Sequence, residues 1–272
     1  MQTLAAHALL SPMRNINELY AGYRFDETTI TRTKAYQEAK HAACAVDTKL
    51  FGARADPILF AQDCYRIMNE QGWQIDGMVH TEQRIRQACP VLIGEPLTVR
   101  AWIEAFDPVP RGRMLHRVFE FMGQDGGVAV VSEILGIVPD PDRMGTGNKS
   151  KAGARPDPRE GMEKLTDKTM TPDDVTGFSA DAGNLIHFST EFAEAAGYRM
   201  PLAQGLQTMV WMGGALAADG LTDELTLTTR FLRPVFWDDT MQLWGRREAG
   251  RLVELRCLND QNRSTAELDV LP

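Results

Sequence analysis

Cysteine is scarce and scattered in this chain of 272 residues. Its four copies, Cys44, Cys64, Cys89 and Cys257, show no CxxC spacing and no neighbouring histidine pair. That pattern argues for reduced structural thiols and against a disulfide framework or a zinc site, so no metal is expected. Positive charge is in deficit, with Lys+Arg 29 against Asp+Glu 37 and a formal net charge of −8. The sign argues against nucleic acid and anionic membrane surfaces as partners. No segment approaches the roughly 18 to 20 uninterrupted apolar residues that a membrane span requires. Residues 1–12 are mildly apolar but lack a preceding basic residue, so a secretory signal is not expected and the cytoplasm is the expected compartment. Phosphate-loop, dinucleotide, serine-hydrolase and zincin motifs are missing as well. Residues 145–150 loosely resemble a phosphate loop, but no strand precedes them and they read as a tether.

What is present is an ordinary globular balance, 43% hydrophobic and 24% charged, over a length that suits one large domain or two small ones. One pattern is written twice. Arg86, Pro90-Val91, Glu95 and Leu97 recur as Arg230, Pro234-Val235, Asp239 and Met241, all at an offset of 144. Upstream, Ala61-Gln62-Asp63 and Ala203-Gln204-Gly205 each precede an apolar run at nearly the same offset. Each copy reads as a helix followed by strands. In the first, a helix over 58–70 precedes strands over 78–88, 97–106, 115–123 and 128–138. In the second, a helix over 205–218 precedes strands over 225–232, 241–244, 252–258 and 265–271. The second helix is apolar all the way round, so the fold must enclose it. The pattern predicts an α+β protein in which each half is an antiparallel sheet wrapped around a central buried helix. The predicted boundaries are 15–140 for the first half, 141–167 for a Gly-, Pro-, Lys- and Asp-rich linker, and 168–272 for the second half.

Polar groups gather directly before the most hydrophobic helix, in Asp181, Asn184 and His187 and then in Pro201-Leu202-Ala203-Gln204-Gly205-Leu206. A backbone N–H at Gly205, in the first helical turn, lacks an intrahelical partner and can polarise a carbonyl oxygen. A histidine within reach can move a proton to or from carbon or water. A purely structural role competes for each residue: Asn184 and Asp181 suit turns or a cap on a short helix over 191–196, and Gly205 suits close packing. His41 and Asp47, and the strand residues His80 and His116, carry no motif. The residue eighteen before Asp63 is Ala45, so the first half lacks both the imidazole and the glycine at equivalent positions.

The segment resembles the MaoC-like, (R)-specific enoyl-CoA hydratase family of the hot-dog fold. That family's signature is roughly Asp-x-Asn-Pro-φ-His, followed some fifteen residues later by Pro-φ-Ala-His-Gly. Asn184, His187 and Pro201-Leu202-Ala203-Gln204-Gly205 fall on it, with Leu185 replacing a proline and Gln204 the second histidine. The signature aspartate position holds Ala182, and Asp181 lies one residue upstream. The resemblance implies a double hot-dog, with the first half as an acyl-binding scaffold and the second as the catalytic half. It also implies hydration or dehydration of an acyl thioester carried by CoA or acyl-carrier protein, with no metal or organic cofactor. His187, Asp181, Asn184 and Gly205 would be catalytic, with Gln204 and Leu206 at the substrate, and proximity in sequence offers Arg230, Arg233 and Arg199 as substrate contacts for the pantetheine and phosphate at the rim. With Asn184 in place of the aspartate, the segment resembles a branch acting on small dicarboxylic esters such as mesaconyl-CoA. A hot-dog thioesterase and a non-catalytic acyl-binding subunit are the competing readings, and homodimer and heterodimer both remain open.

Overall fold

The computed structural model describes residues 14–74, 77–143, 157–181, 183–220 and 222–272. Residues 1–12, the segment 145–150, much of the expected linker, and Ala182 therefore lie outside the described residues.

The N-terminal half contains strands β1 (Arg14–Asn15), β2 (Thr28–Thr31), β3 (Trp73–Gln74), β4 (Val79–Gln87), β5 (Pro96–Val109), β6 (Gly112–Met122) and β7 (Val128–Pro139). Helices α1 (Lys34–Ala43) and α2 (Phe60–Glu70) precede the long strands. The C-terminal half opens with β8 (Glu163–Thr169), followed by α3 (Pro172–Ser179), α4 (Thr190–Ala195) and α5 (Gly205–Gly220). It closes with β9 (Leu225–Phe231), β10 (Thr240–Glu248), β11 (Arg251–Leu258) and β12 (Ser264–Leu271).

Ten of these strands form one sheet in the order β2-β5-β6-β7-β4-β9-β12-β11-β10-β8. Five come from each half, and the halves meet where β4 and β9 pair antiparallel, from Glu82 opposite Arg230 to Gln87 opposite Leu225. Arg84 faces Thr228 in that ladder. These two are separated by the same 144 residues that relate the sequence copies, so the internal two-fold axis passes between them. The architecture is a double hot-dog, with α2 and α5 as its two central helices.

Strand alternation explains the core. On β6, Leu115, Phe119 and Phe121 are fully buried on one face, while His116 and Glu120 lie on the other. Helix α5 buries Leu206, Met209, Val210, Trp211 and Met212, consistent with a helix apolar on every side. One apolar cluster runs through both halves, from Phe60, Met68 and Phe119 to Met209, Leu227 and Leu268. Gly213 and Gly214 let α5 lean on the N-terminal half. A Cβ at Gly213 would stand 2.3 Å from Cδ1 of Ile58, and one at Gly214 would stand 2.7 Å from Cγ2 of Val46.

The structure corrects one boundary. The expected linker 141–167 overlaps β8, which pairs with β10 from Thr169 opposite Thr240 to Glu163 opposite Gly245. Its sequence, EKLTDKT, is polar apart from the half-buried Leu165, because β8 is the outer strand of the sheet and only Lys168 is buried. Charged residues on such an edge also discourage pairing with other chains.

Because β9 carries the joint between halves, Leu227, fully buried there, provides a test. Leu227→Ala is expected to cost about 2–5 kcal/mol. Both halves should unfold together, in a single calorimetric transition at lower temperature.

Candidate functional site

His187 closes a short 3₁₀ turn, Leu185–His187, that Asn184 caps by accepting a hydrogen bond from the Ile186 amide at 3.1 Å. The imidazole Nδ1 lies 2.8 Å from the Leu202 carbonyl oxygen. A carbonyl can only accept, so Nδ1 carries the proton and Nε2 is left as the basic nitrogen. The Leu202 amide returns a bond to the Ile186 carbonyl at 3.2 Å. These two bonds stitch the histidine turn to the segment that enters α5. That segment is fixed from its other side by the Ala203 amide donating to the Val235 carbonyl at 2.8 Å. The ring is buried, with 9% of the residue exposed. Burial pushes its pKa down to about 4, against the opposing pull of the Leu202 carbonyl. His187 is therefore neutral near pH 7, and Nε2 has no recorded partner among the described residues.

Gly205 opens α5, so its amide belongs to the first-turn group without intrahelical acceptors. A Cβ there would lie 2.8 Å from Cδ1 of Phe231. The glycine thus brings the helix N-terminus hard against an aromatic ring of β9. Gln204 is buried beside it, and its Oε1 has no hydrogen-bond partner. Leu206 is 2% exposed and belongs to the apolar core.

Asp181 makes different contacts from those expected of a group orienting water at His187. Its carboxylate accepts from Lys40 Nζ at 2.7 Å, Tyr36 Oη at 2.5 Å and Gln62 Nε2 at 2.9 Å. Lys40 also donates to the carbonyl of Phe178. Burial acts to raise the Asp181 pKa, but Lys40, Tyr36 and Gln62 together outweigh it and hold the carboxyl below its usual range. Tyr36 and Lys40 lie on α1 and Gln62 on α2, so Asp181 fastens the loop before His187 to the N-terminal half.

Arg230 faces away from Gly205. Its neighbour Phe231 faces Gly205, and alternation sends Arg230 to the opposite face of the sheet. There it donates to Asp269 at 2.8 Å and lies 3.6 Å from Glu267. Arg199 is bound to Asp238 and Asp239, and Arg233 to the Ser264 carbonyl.

Phe231, against Gly205, begins a chain of three ring-bearing residues without a motif. Phe231 packs on His80 with ring centroids 4.6 Å apart, and His80 on Tyr65 at 5.7 Å. His80 Nε2 lies 3.1 Å from the Glu82 carbonyl, to which it donates. Burial, then the charge of Arg117, pushes its pKa down to about 3. The only sequence signal for this group was the inward parity of Phe231. The first half also holds a buried imidazole, away from the position that the repeat indicated. His41 is clasped between Thr48 at 3.1 Å and Asp56 at 3.0 Å.

Residues 154–265 match the family described as MaoC like domain. That C-terminal segment is similar to a MaoC-like domain. Its solved structural neighbours include HtdX of Mycobacterium tuberculosis, with a TM-score of 0.72 at 19% identity, covering 91% of this chain and 98% of that one. A MaoC-like dehydratase from Phytophthora capsici aligns with a TM-score of 0.68 at 16% identity, over 95% and 98% of the two chains. Rv0216 of Mycobacterium tuberculosis, described as a double hot-dog, aligns with a TM-score of 0.63 at 15% identity, over 96% and 98%. No curated protein matches the sequence significantly. At these identities the likeness establishes a shared fold across both halves, with the MaoC-like domain occupying the C-terminal one.

Removing Lys40 leaves a largely buried carboxylate without its cation, so Lys40→Met is expected to cost about 3 kcal/mol in denaturant unfolding. Asp181 has a depressed folded pKa, so its contribution is present above the unfolded value near 3.9 and fades as pH falls through the folded one. The stability gap between wild type and Asp181→Asn should therefore be largest near pH 7 and shrink below about pH 4.

Proposed function

We propose that the chain hydrates and dehydrates an acyl thioester, interconverting 2-enoyl and 3-hydroxyacyl forms. The observation that carries this reading is the bond from His187 Nδ1 to Leu202, which places a neutral imidazole base in the segment leading directly into the Gly205 amide. A thioester carbonyl bound by that amide gains a donor, with the helix dipole behind it, aimed at the oxygen where enolate charge develops.

In the hydration direction the water oxygen bonds to Cβ, and the π electrons move onto the thioester as an enolate. His187 Nε2 takes the proton that the water loses. The imidazolium then gives a proton to Cα, which restores the thioester and the neutral ring. Dehydration is the reverse. The Nδ1–Leu202 bond keeps the tautomer constant through the cycle, and the Asn184 amide, one turn away, holds the water. Asp181 serves as a positioning residue for this loop. CoA and acyl-carrier protein are both suitable carriers, and the thioester itself acidifies Cα, so the chemistry calls for no added cofactor.

A thioesterase reading would place a carboxylate or nucleophile on the central helix. The first acidic residue of α5 is Asp219, in its last turn, where it pairs with Arg247, and the carboxylate of the other central helix, Asp63, is held by Arg32 and Arg66. That arrangement favours addition of water at Cβ over attack at the carbonyl carbon.

The purified chain should hydrate enoyl-CoA substrates, followed by loss of enoyl absorbance, without releasing free CoA. His187→Ala is expected to lower kcat by about 10²–10⁴-fold. Because the working form is neutral, kcat/KM should be level from pH 8 to pH 5. It should then fall on acidification through about pH 4, the value to which burial pushes His187. Release of CoA by the wild type, or full activity in His187→Ala, would overturn the assignment.

A further inference from the structure

The joint between the halves has two ends. At one, Phe231 meets His80 and Gly205. At the other, the β4–β9 ladder finishes with Gln87 opposite Leu225. Gln87 and Phe231 are separated by the repeat offset of 144 residues, so the internal two-fold axis relates the two ends. Rings pack the Phe231 end, whereas a cavity opens beside Gln87 and Leu225. Phe51, Pro57 and Ile58 contribute its walls from the N-terminal half, and Leu216 and Ala217 of α5 from the C-terminal half. The enclosed part measures about 40 Å³. One water takes roughly 10–15 Å³ of such space, so the cavity holds on the order of three waters, or three to four methylene groups in their place.

The inner end of this cavity is the start of a short 3₁₀ turn, Pro57–Leu59, whose donors are already taken. Pro57 has no N–H, and Ile58 and Leu59 donate to the Asp56 carboxylate at 2.9 Å and carbonyl at 3.2 Å. His41 engages the same carboxylate at 3.0 Å. An apolar tail therefore suits the interior, and the polar group of a ligand belongs at the mouth. Arg54 stands there, with Nη1 2.9 Å from Asp223 Oδ1 and the two side chains 38% and 69% exposed. An ion pair this open contributes little, so an incoming carboxylate can replace Asp223 on the guanidinium fork. The Asp223 backbone stays in place meanwhile, because its carbonyl accepts from Gln87 Nε2 at 2.9 Å. Arg251 donates to the carbonyl of Gly220, another lining residue, at 2.8 Å and brings a second guanidinium to this side.

We propose that this cavity binds a short unbranched monocarboxylate, butanoate or pentanoate, with its tail between Ile58 and Ala217 and its carboxylate on Arg54. The site is distinct from the one at Gly205. It lies beside residues 213–220 of α5, roughly 12–22 Å further along the helix axis. Its ligand touches both halves, so occupancy stabilises the joint between them. None of this depends on the thioester reading.

The test is calorimetric titration of the full chain with pentanoate, 1-pentanol and 1-pentylamine, alongside thermal unfolding. Pentanoate should bind one per chain, raise the Tm, and exceed the alcohol by about 10-fold in affinity, as a charge-assisted contact requires. Arg54→Gln should abolish the preference for pentanoate over pentanol, and Ala217→Phe, which fills the cavity, should remove binding of both. Equal binding of acid and alcohol by the wild type, or no binding of pentanoate, overturns the proposal. Preference for the amine assigns the mouth to Asp223 and overturns it as well. So does displacement of pentanoate by saturated butyryl-CoA, which would place the acid at the thioester site. The ligand series and the exposed Arg54 variant decide the matter even if Ala217→Phe fails to fold.

Discussion

The ladder between β4 and β9 is the interaction on which the rest of the molecule depends. It joins two five-stranded sheets into one and so removes an exposed edge from each half. It also decides which groups become neighbours. Phe231, at the end of β9, meets His80 on β4, and through His80 it reaches Tyr65 on α2. The environment of Gly205 is thus built partly from the half that carries no motif of its own. A lone C-terminal hot-dog would leave that side of the site open and the β9 edge unpaired.

The interior treats charge differently on the two sides of this joint. In the N-terminal half, buried ionisable groups come in matched sets: Arg32 with Asp63, His41 with Asp56, and Lys40 reaching across to Asp181. Around His187 and Gly205 the polar groups are neutral, and Oε1 of Gln204 is buried without a partner. Full pairing stabilises a scaffold because a buried lone charge is costly. Incomplete pairing leaves a place where a polar substrate group can be received, and in a low-dielectric setting each such contact is strong.

Strong periodicity made much of the fold legible. The all-round apolar run became α5, the alternating stretches became the strands of each sheet, and the repeat offset of 144 fell on the two-fold axis between Arg84 and Thr228. Elements with little apolar signal were harder to read. Strand β8 is polar because it is an edge, and its sequence therefore resembled a linker. Arg230 was placed by proximity to the site, although the inward parity of Phe231 already sends it outward. Asp181 stood near His187 along the chain, but Lys40 and Tyr36, more than 140 residues away in sequence, take its carboxylate.

By itself the sequence determined the two central helices, the long strands that follow them and their duplication, because periodicity and turn chemistry act over a few residues. Only the tertiary structure decided which nitrogen of His187 is basic and which partners hold Asp181. These depend on atoms brought within about 3 Å from distant parts of the chain, and burial there sets whether a charge is kept, matched or suppressed.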